Sequence, residues 1–144
     1  MQRLISIALL FVAGLAAADD CVRQTALACP ATTLAASIII YDCAASDGSR
    51  FDLWQFSGNA GDTIAIDMHS TAFDSYLVLL DPSDVPAAEN DDAARGNNDA
   101  RIVFTLTSSG TWTVVANTLA ASKAGDYTLS IACPVHARRR AAGK

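Results

Sequence analysis

The densest run of donor chemistry in the chain is Glu89-Asn90-Asp91-Asp92-Ala93-Ala94-Arg95-Gly96-Asn97-Asn98-Asp99. Carboxylate and amide oxygens of this kind suit calcium, a hard cation that takes about six to eight oxygen ligands. The spacing is not that of a helix-loop-helix calcium loop, and the glycine-rich nonapeptide pattern is absent. A cation here would therefore need donors from other loops. Arg95 and Arg101 return part of the charge, and Asn and Asp cap turns through their own backbone. Three readings stay open on the residues alone: a calcium site, a solvated turn, or a surface that recognises a partner.

Nothing else in the sequence marks catalysis. His69 and His136 are the only histidines. His69 follows Met68 and by alternation falls on the outer side of a strand or at its end. There is no G-x-S-x-G elbow, no lone cysteine, no H-E-x-x-H pair and no phosphate-binding glycine loop. Asp91 and Asp92 are adjacent, whereas glycosidase carboxylates face each other across a cleft. No catalytic residue is assigned and no cofactor is required; a small secreted hydrolase using His69 is the enzymatic alternative.

The residues Met1–Ala18 read as a secretory signal peptide: Arg3, an apolar run from Leu4 to Leu15, then Ala16-Ala17-Ala18. The run is shorter than the roughly 18–20 residues that span a bilayer, so no transmembrane anchor is expected. Export makes Cys21, Cys29, Cys43 and Cys133 candidates for two disulfides, with the pairing open. If Ala31–Ile40 were one straight strand, Cys29 and Cys43 would lie too far apart to bridge, unless a bend intervenes. All 15 acids lie between Asp19 and Pro134, where the bases are Arg23, Arg50, Arg95, Arg101 and Lys123. Such a body does not suit nucleic acid, which needs clustered cations. Secretion or a periplasm is the expected location, and a monomer the expected state.

These residues must be positioned by short strands. Runs over Thr33–Tyr41, Phe51–Ser57, Asp62–His69, Ser75–Leu80, Arg101–Thr107, Gly110–Asn117 and Asp126–Cys133 alternate in character and are separated by Gly, Asn, Asp and Ser clusters. Their inner faces are Trp54 and Phe56; Ile64, Ile66 and Met68; Leu77 and Leu79; Ile102, Phe104 and Leu106; Trp112, Val114 and Ala116; Tyr127, Leu129 and Ile131. The connection Pro82–Ala100 is long enough to hide another strand near Val85–Glu89, held to an edge by Pro86. The expectation is an all-β, two-sheet antiparallel β-sandwich of jelly-roll or Greek-key type with seven or eight strands. It spans residues 19–134, between the signal peptide 1–18 and a basic disordered tail 135–144. Tyr41 and Tyr76 are out of phase with their apolar neighbours and are expected at the surface, where they could bind a partner.

The order of motifs is more specific than the fold class. Asp52-Leu53-Trp54-Gln55-Phe56, Gly61-Asp62, Phe73-Asp74, Asp81-Pro82, Asn90-Asp91-Asp92, Ser109-Gly110-Thr111-Trp112 and Gly125-Asp126-Tyr127-Thr128-Leu129 together resemble the bacterial pre-peptidase C-terminal domain over about Ala31–Cys133. The resemblance implies a non-catalytic jelly-roll module, usually appended to secreted peptidases, with relatives that bind collagen and in some cases calcium. It implies an extracellular protein or polysaccharide as partner, or else a purely structural role in secretion or folding. It also joins Asp74 to Asn90, Asp91 and Asp92 as the candidate calcium ligands. Unlike the usual arrangement, no peptidase precedes the module in this sequence.

Overall fold

A computed structural model of the chain describes residues 21–25, 27–92 and 97–134. The expected signal peptide and basic tail lie outside these residues. The described chain is all β, in ten strands: β1 (Arg23–Gln24), β2 (Ala31–Ile38), β3 (Cys43–Ala44), β4 (Ser49–Gly58), β5 (Thr63–His69), β6 (Tyr76–Leu80), β7 (Pro86–Asn90), β8 (Ala100–Thr105), β9 (Gly110–Ala121) and β10 (Gly125–Ala132). The count exceeds the expected seven or eight because β1 and β3 are two-residue pieces, too short to show any periodicity.

One sheet has the order β1-β4-β9-β6-β7 with β3 also on β4, and the other has β2-β10-β5-β8. Every ladder is antiparallel except β1 with β4. The hidden strand is β7, at the edge of its sheet and beginning with Pro86, whose missing N–H an edge tolerates. The inner faces of the two sheets close on one core that contains every expected inward residue; Phe104 alone among them is only partly buried. Trp112 at its centre has no exposed surface.

Alternation misplaces part of the larger sheet. Phe51, Leu53, Tyr76, Val78, Leu80 and Val115 form a second buried cluster, against which Cys21, Cys43, Ala45 and Leu119 pack. Strand β6 is buried on both faces along its length, which is why its sequence reads as a continuous apolar run. Tyr76, expected at the surface, is buried (6% exposed), and its hydroxyl donates to Glu89 Oε2 at 2.7 Å. Burial and the neighbouring carboxylate raise that phenol far above its ordinary pKa.

Two disulfides fasten the first and last described segments to the sandwich: Cys21–Cys43 and Cys29–Cys133. Cys29 reaches Cys133 because β2 pairs with β10 in full register, Ala31 opposite Ala132. A buried hydrogen-bond chain also ties the sheets together. Trp54 Nε1 donates to Tyr127 Oη at 2.8 Å, and Tyr127 Oη donates to Asp52 Oδ2 at 2.5 Å.

Candidate functional site at the loop end

Strand direction sorts the connections between the two ends of the sandwich. Strands β2, β5, β7 and β9 run toward one end, and β4, β6, β8 and β10 run away from it. The crossings 39–42, 70–75, 91–99 and 122–124 therefore meet at that end, each passing from one sheet to the other. This loop end receives Asp74, Asn90, Asp91 and Asp92 together, although Asp74 is far from the others in sequence.

Asp74 follows buried Phe73 and leads into β6. Its Oδ1 is buried and has no hydrogen-bond partner among the described residues, as is also true of the neighbouring Ser75 Oγ. Burial first, then the charges of Asp92 and Asp91, raise the Asp74 carboxyl above its ordinary value. Those charges place the three carboxylates within electrostatic reach of one another. Asn90 stands opposite Leu77 on β6, and its Oδ1 accepts the Arg101 N–H at 3.1 Å. Ser75 N–H donates to Asn98 O at 2.9 Å, holding the far arm of the acidic crossing against the start of β6. Asp91 and Asp92 are exposed.

Carboxylate and amide oxygens are the donor types a hard cation takes, and one of them, Asp74 Oδ1, is buried. The ligands are not drawn together, however. Among the described residues no three acids, histidines or cysteines are grouped tightly enough to hold a metal ion. Two other side chains in the region are already engaged: Arg101 Nη1 donates to Asp67 Oδ1 at 2.8 Å, and His69 Nδ1 lies in hydrogen-bond contact with Asp99 Oδ1 at 2.5 Å.

His69 lies on the rim of a shallow groove of about 430 Å³ that includes Ser37, Ser70 and Asp126. The serine hydroxyls there are hydrogen-bonded to Asp126. Ser70 Oγ donates to Asp126 O at 2.7 Å and Ser37 Oγ donates to the Asp126 carboxylate. A serine held in this way is not poised as a nucleophile for His69.

Tyr41 is 86% exposed, and it stands beside Ile39 and Ile40, each about half exposed. The residue types gave one signal for this cluster, the phase of Tyr41. They gave none for the isoleucines, because a strand continuing to Tyr41 buries every second residue, whereas β2 ends at Ile38. At the start of β10, Gly125 has φ of +143°, and a Cβ there would approach Ala72 Cβ to 2.3 Å. Only glycine lets the 70–75 crossing close over this corner.

Comparison with known proteins agrees with the fold and the order of motifs. Residues 50–118 match the family model of the bacterial pre-peptidase C-terminal domain. A probable subtilase-type serine protease of Deinococcus radiodurans is 41% identical over 66 residues, covering 42% of this chain and 9% of the protease. The chain thus spans a small fraction of that relative's length. Among solved structures, the pre-peptidase C-terminal domain of a Bacillus anthracis collagenase superposes with a TM-score of 0.51 at 18% identity, covering 76% of this chain and 90% of that one. The Aeromonas hydrophila periplasmic inhibitor of g-type lysozyme superposes with a TM-score of 0.54 at 13% identity, covering 78% and 100%. Both are likenesses of fold.

Proposed function

We propose that this chain, whose residues 50–118 match the family model of the bacterial pre-peptidase C-terminal domain, is an exported, non-catalytic accessory module that binds an extracytoplasmic protein through the loop end. The observation that carries this reading is the contrast between a filled interior and the loop end. Trp112, Leu77, Leu79 and Ile66 leave no room for a substrate between the sheets, while the sheet crossings gather acids, unpaired polar atoms and exposed apolar side chains in one place. The two disulfides suit an oxidising compartment. The solved relatives lend direction: one is a domain of a collagenase and another inhibits a lysozyme.

In this reading Asp74, Asn90, Asp91 and Asp92 hold a calcium ion that neutralises the repulsion among the three carboxylates and satisfies Asp74 Oδ1. The ion would brace the loop end rather than take part in chemistry. Because Asp91 and Asp92 stand apart from a closed ligand set, binding would draw these two carboxylates toward Asp74.

The test has two arms. The oxidised chain, immobilised and offered extracytoplasmic protein and envelope polysaccharide separately, should retain protein; retention of polysaccharide alone would overturn the choice of partner, and retention of neither would favour a structural or folding-assistance role. Calcium should raise the melting temperature and chelator lower it. No response to either removes the ion from the account. Turnover of generic ester or peptide substrates, abolished in His69→Ala, would establish the hydrolase instead.

A further inference from the structure

Ile39, Ile40 and Tyr41 are 51%, 55% and 86% exposed, three consecutive large apolar side chains at the tip of a turn. A run of this kind on a soluble surface works against solubility and specificity unless it is used. The turn is also held rigidly. Ile39 N–H donates to Asp42 Oδ2 at 2.6 Å and Asp42 N–H donates back to Ile39 O at 3.0 Å, closing the turn on itself. Arg50 Nη1 donates to Asp42 O at 3.0 Å. The next residue, Cys43, is bonded to Cys21, and Val22 beside it is 74% exposed. Apolar side chains on a fixed turn lose little freedom on docking, which is how a short surface loop acquires affinity.

The charge around the turn selects the partner. Asp42, Asp47, Asp74, Glu89, Asp91 and Asp92 all lie in or beside the connections at this end, against Arg50, Arg101 and Lys123 among the described residues. Asp42 lies near enough to raise the Asp52 carboxyl, and Asp47 near enough to act on the Tyr76 phenol. We propose that the turn Ile39-Ile40-Tyr41 is the insertion point for a cationic protein: the three side chains enter an apolar cleft while the surrounding acids meet its basic rim. The tyrosine is the anchor, since aromatic side chains dominate such contacts, and the acids set the rate of encounter. A second copy of this chain is disfavoured by like charge. This inference rests on the binding-module reading and names the surface and the chemistry of the partner.

The test places a benzophenone-bearing amino acid at Ile40, and separately at Val103, in the full chain secreted by living cells. Val103 is 60% exposed in β8, on the other sheet. Irradiation should give a protein adduct from position 40 and none from position 103, and mass spectrometry should identify a protein of net positive charge. With that protein purified, Tyr41→Ala should weaken binding by about 30-fold, the scale of a hot-spot residue, with the melting temperature unchanged. Raised salt should slow association several-fold. A protein adduct from position 103 alone would overturn the turn as the contact and leave the binding-module reading standing. An adduct to an acidic protein or to a second copy, or Tyr41-dependent sedimentation with phosphatidylcholine vesicles, would also overturn it. No protein adduct from either position, with no vesicle binding, would overturn the inference and the module reading together.

Discussion

The two ends of the sandwich are built to different standards. At the end holding Cys29–Cys133, polar groups are paired reciprocally: Gly61 N–H donates to Leu106 O and Leu106 N–H donates to Asp62 O, both at 2.8 Å. Ala60 N–H reaches Ser109 Oγ at 2.9 Å, Trp112 Nε1 reaches Ser108 O at 3.1 Å, and Asp81 caps the next turn through Ser83 and Val85. At the loop end the accounting is incomplete. The buried side-chain atoms without a partner among the described residues are Arg50 Nε, Asp74 Oδ1 and Ser75 Oγ, all in or beside the crossings there. Leaving such an atom unpaired costs about 1–3 kcal/mol. Among the described residues, then, the buried side-chain atoms without a partner fall at the loop end and none at the other, which is the contrast on which the proposed binding role of the loop end rests.

The contrast can be broken or sharpened by substitution. The largest effect is expected in the shared core: Trp112→Ala should cost about 3–5 kcal/mol in denaturant unfolding, because a fully buried indole leaves a cavity that packed strands cannot fill. A loss below about 1 kcal/mol would mean that the core is not as closely packed as described.

The disulfides come next. Replacing Cys29 and Cys133 by serine should cost about 2–5 kcal/mol. Removing Cys21–Cys43 should cost about 1 kcal/mol less on chain entropy, because it closes the shorter loop; the sequence separations are 104 and 22. The reverse order in thermal melts would place the more important staple at the loop end.

Smaller effects follow in the hydrogen-bond chain between the sheets. Tyr127→Phe leaves the Trp54 N–H and the half-buried Asp52 carboxylate without their partner, and should cost about 1–3 kcal/mol. Asp52 also sets a pH dependence. Burial, and secondarily Asp42, raise its carboxyl above the ordinary value, while the Tyr127 hydrogen bond opposes the shift. The folded state then holds this proton more tightly than the unfolded state. Asp52 therefore makes stability fall as pH rises from about 3.8 through the raised value, and adds no further slope above it. Melting of Asp52→Asn across that range should show a shallower fall than the parent; an unchanged slope would assign the effect elsewhere.

How much of this was legible in the residues depends on what each strand faces. The inner faces could be read because alternation survives wherever one side meets the core and the other meets water, as in β5 and β10. It fails in β6 and the middle of β9, where both sides are covered, and so Tyr76 was expected outside. Pro86 located an edge strand because the missing N–H is a local property. The disulfide pairing was not legible, since it depends on β2 lying alongside β10, a contact far apart in sequence. The gathering of Asp74 with the acidic crossing was implied by family resemblance; strand direction supplies its physical reason. The Ile39–Tyr41 turn was half legible, through the phase of Tyr41 alone.

The measurement that tests the loop end most directly is the melting temperature of Asp74→Asn against the parent, each in chelator and in calcium. If the loop end gives up stability in order to hold a ligand, the amide relieves the repulsion with Asp91 and Asp92. The variant should then melt above the parent in chelator and lose the parent's rise in calcium. A variant that melts below the parent in chelator, with its calcium response intact, would show that Asp74 serves the fold alone and would contradict the account.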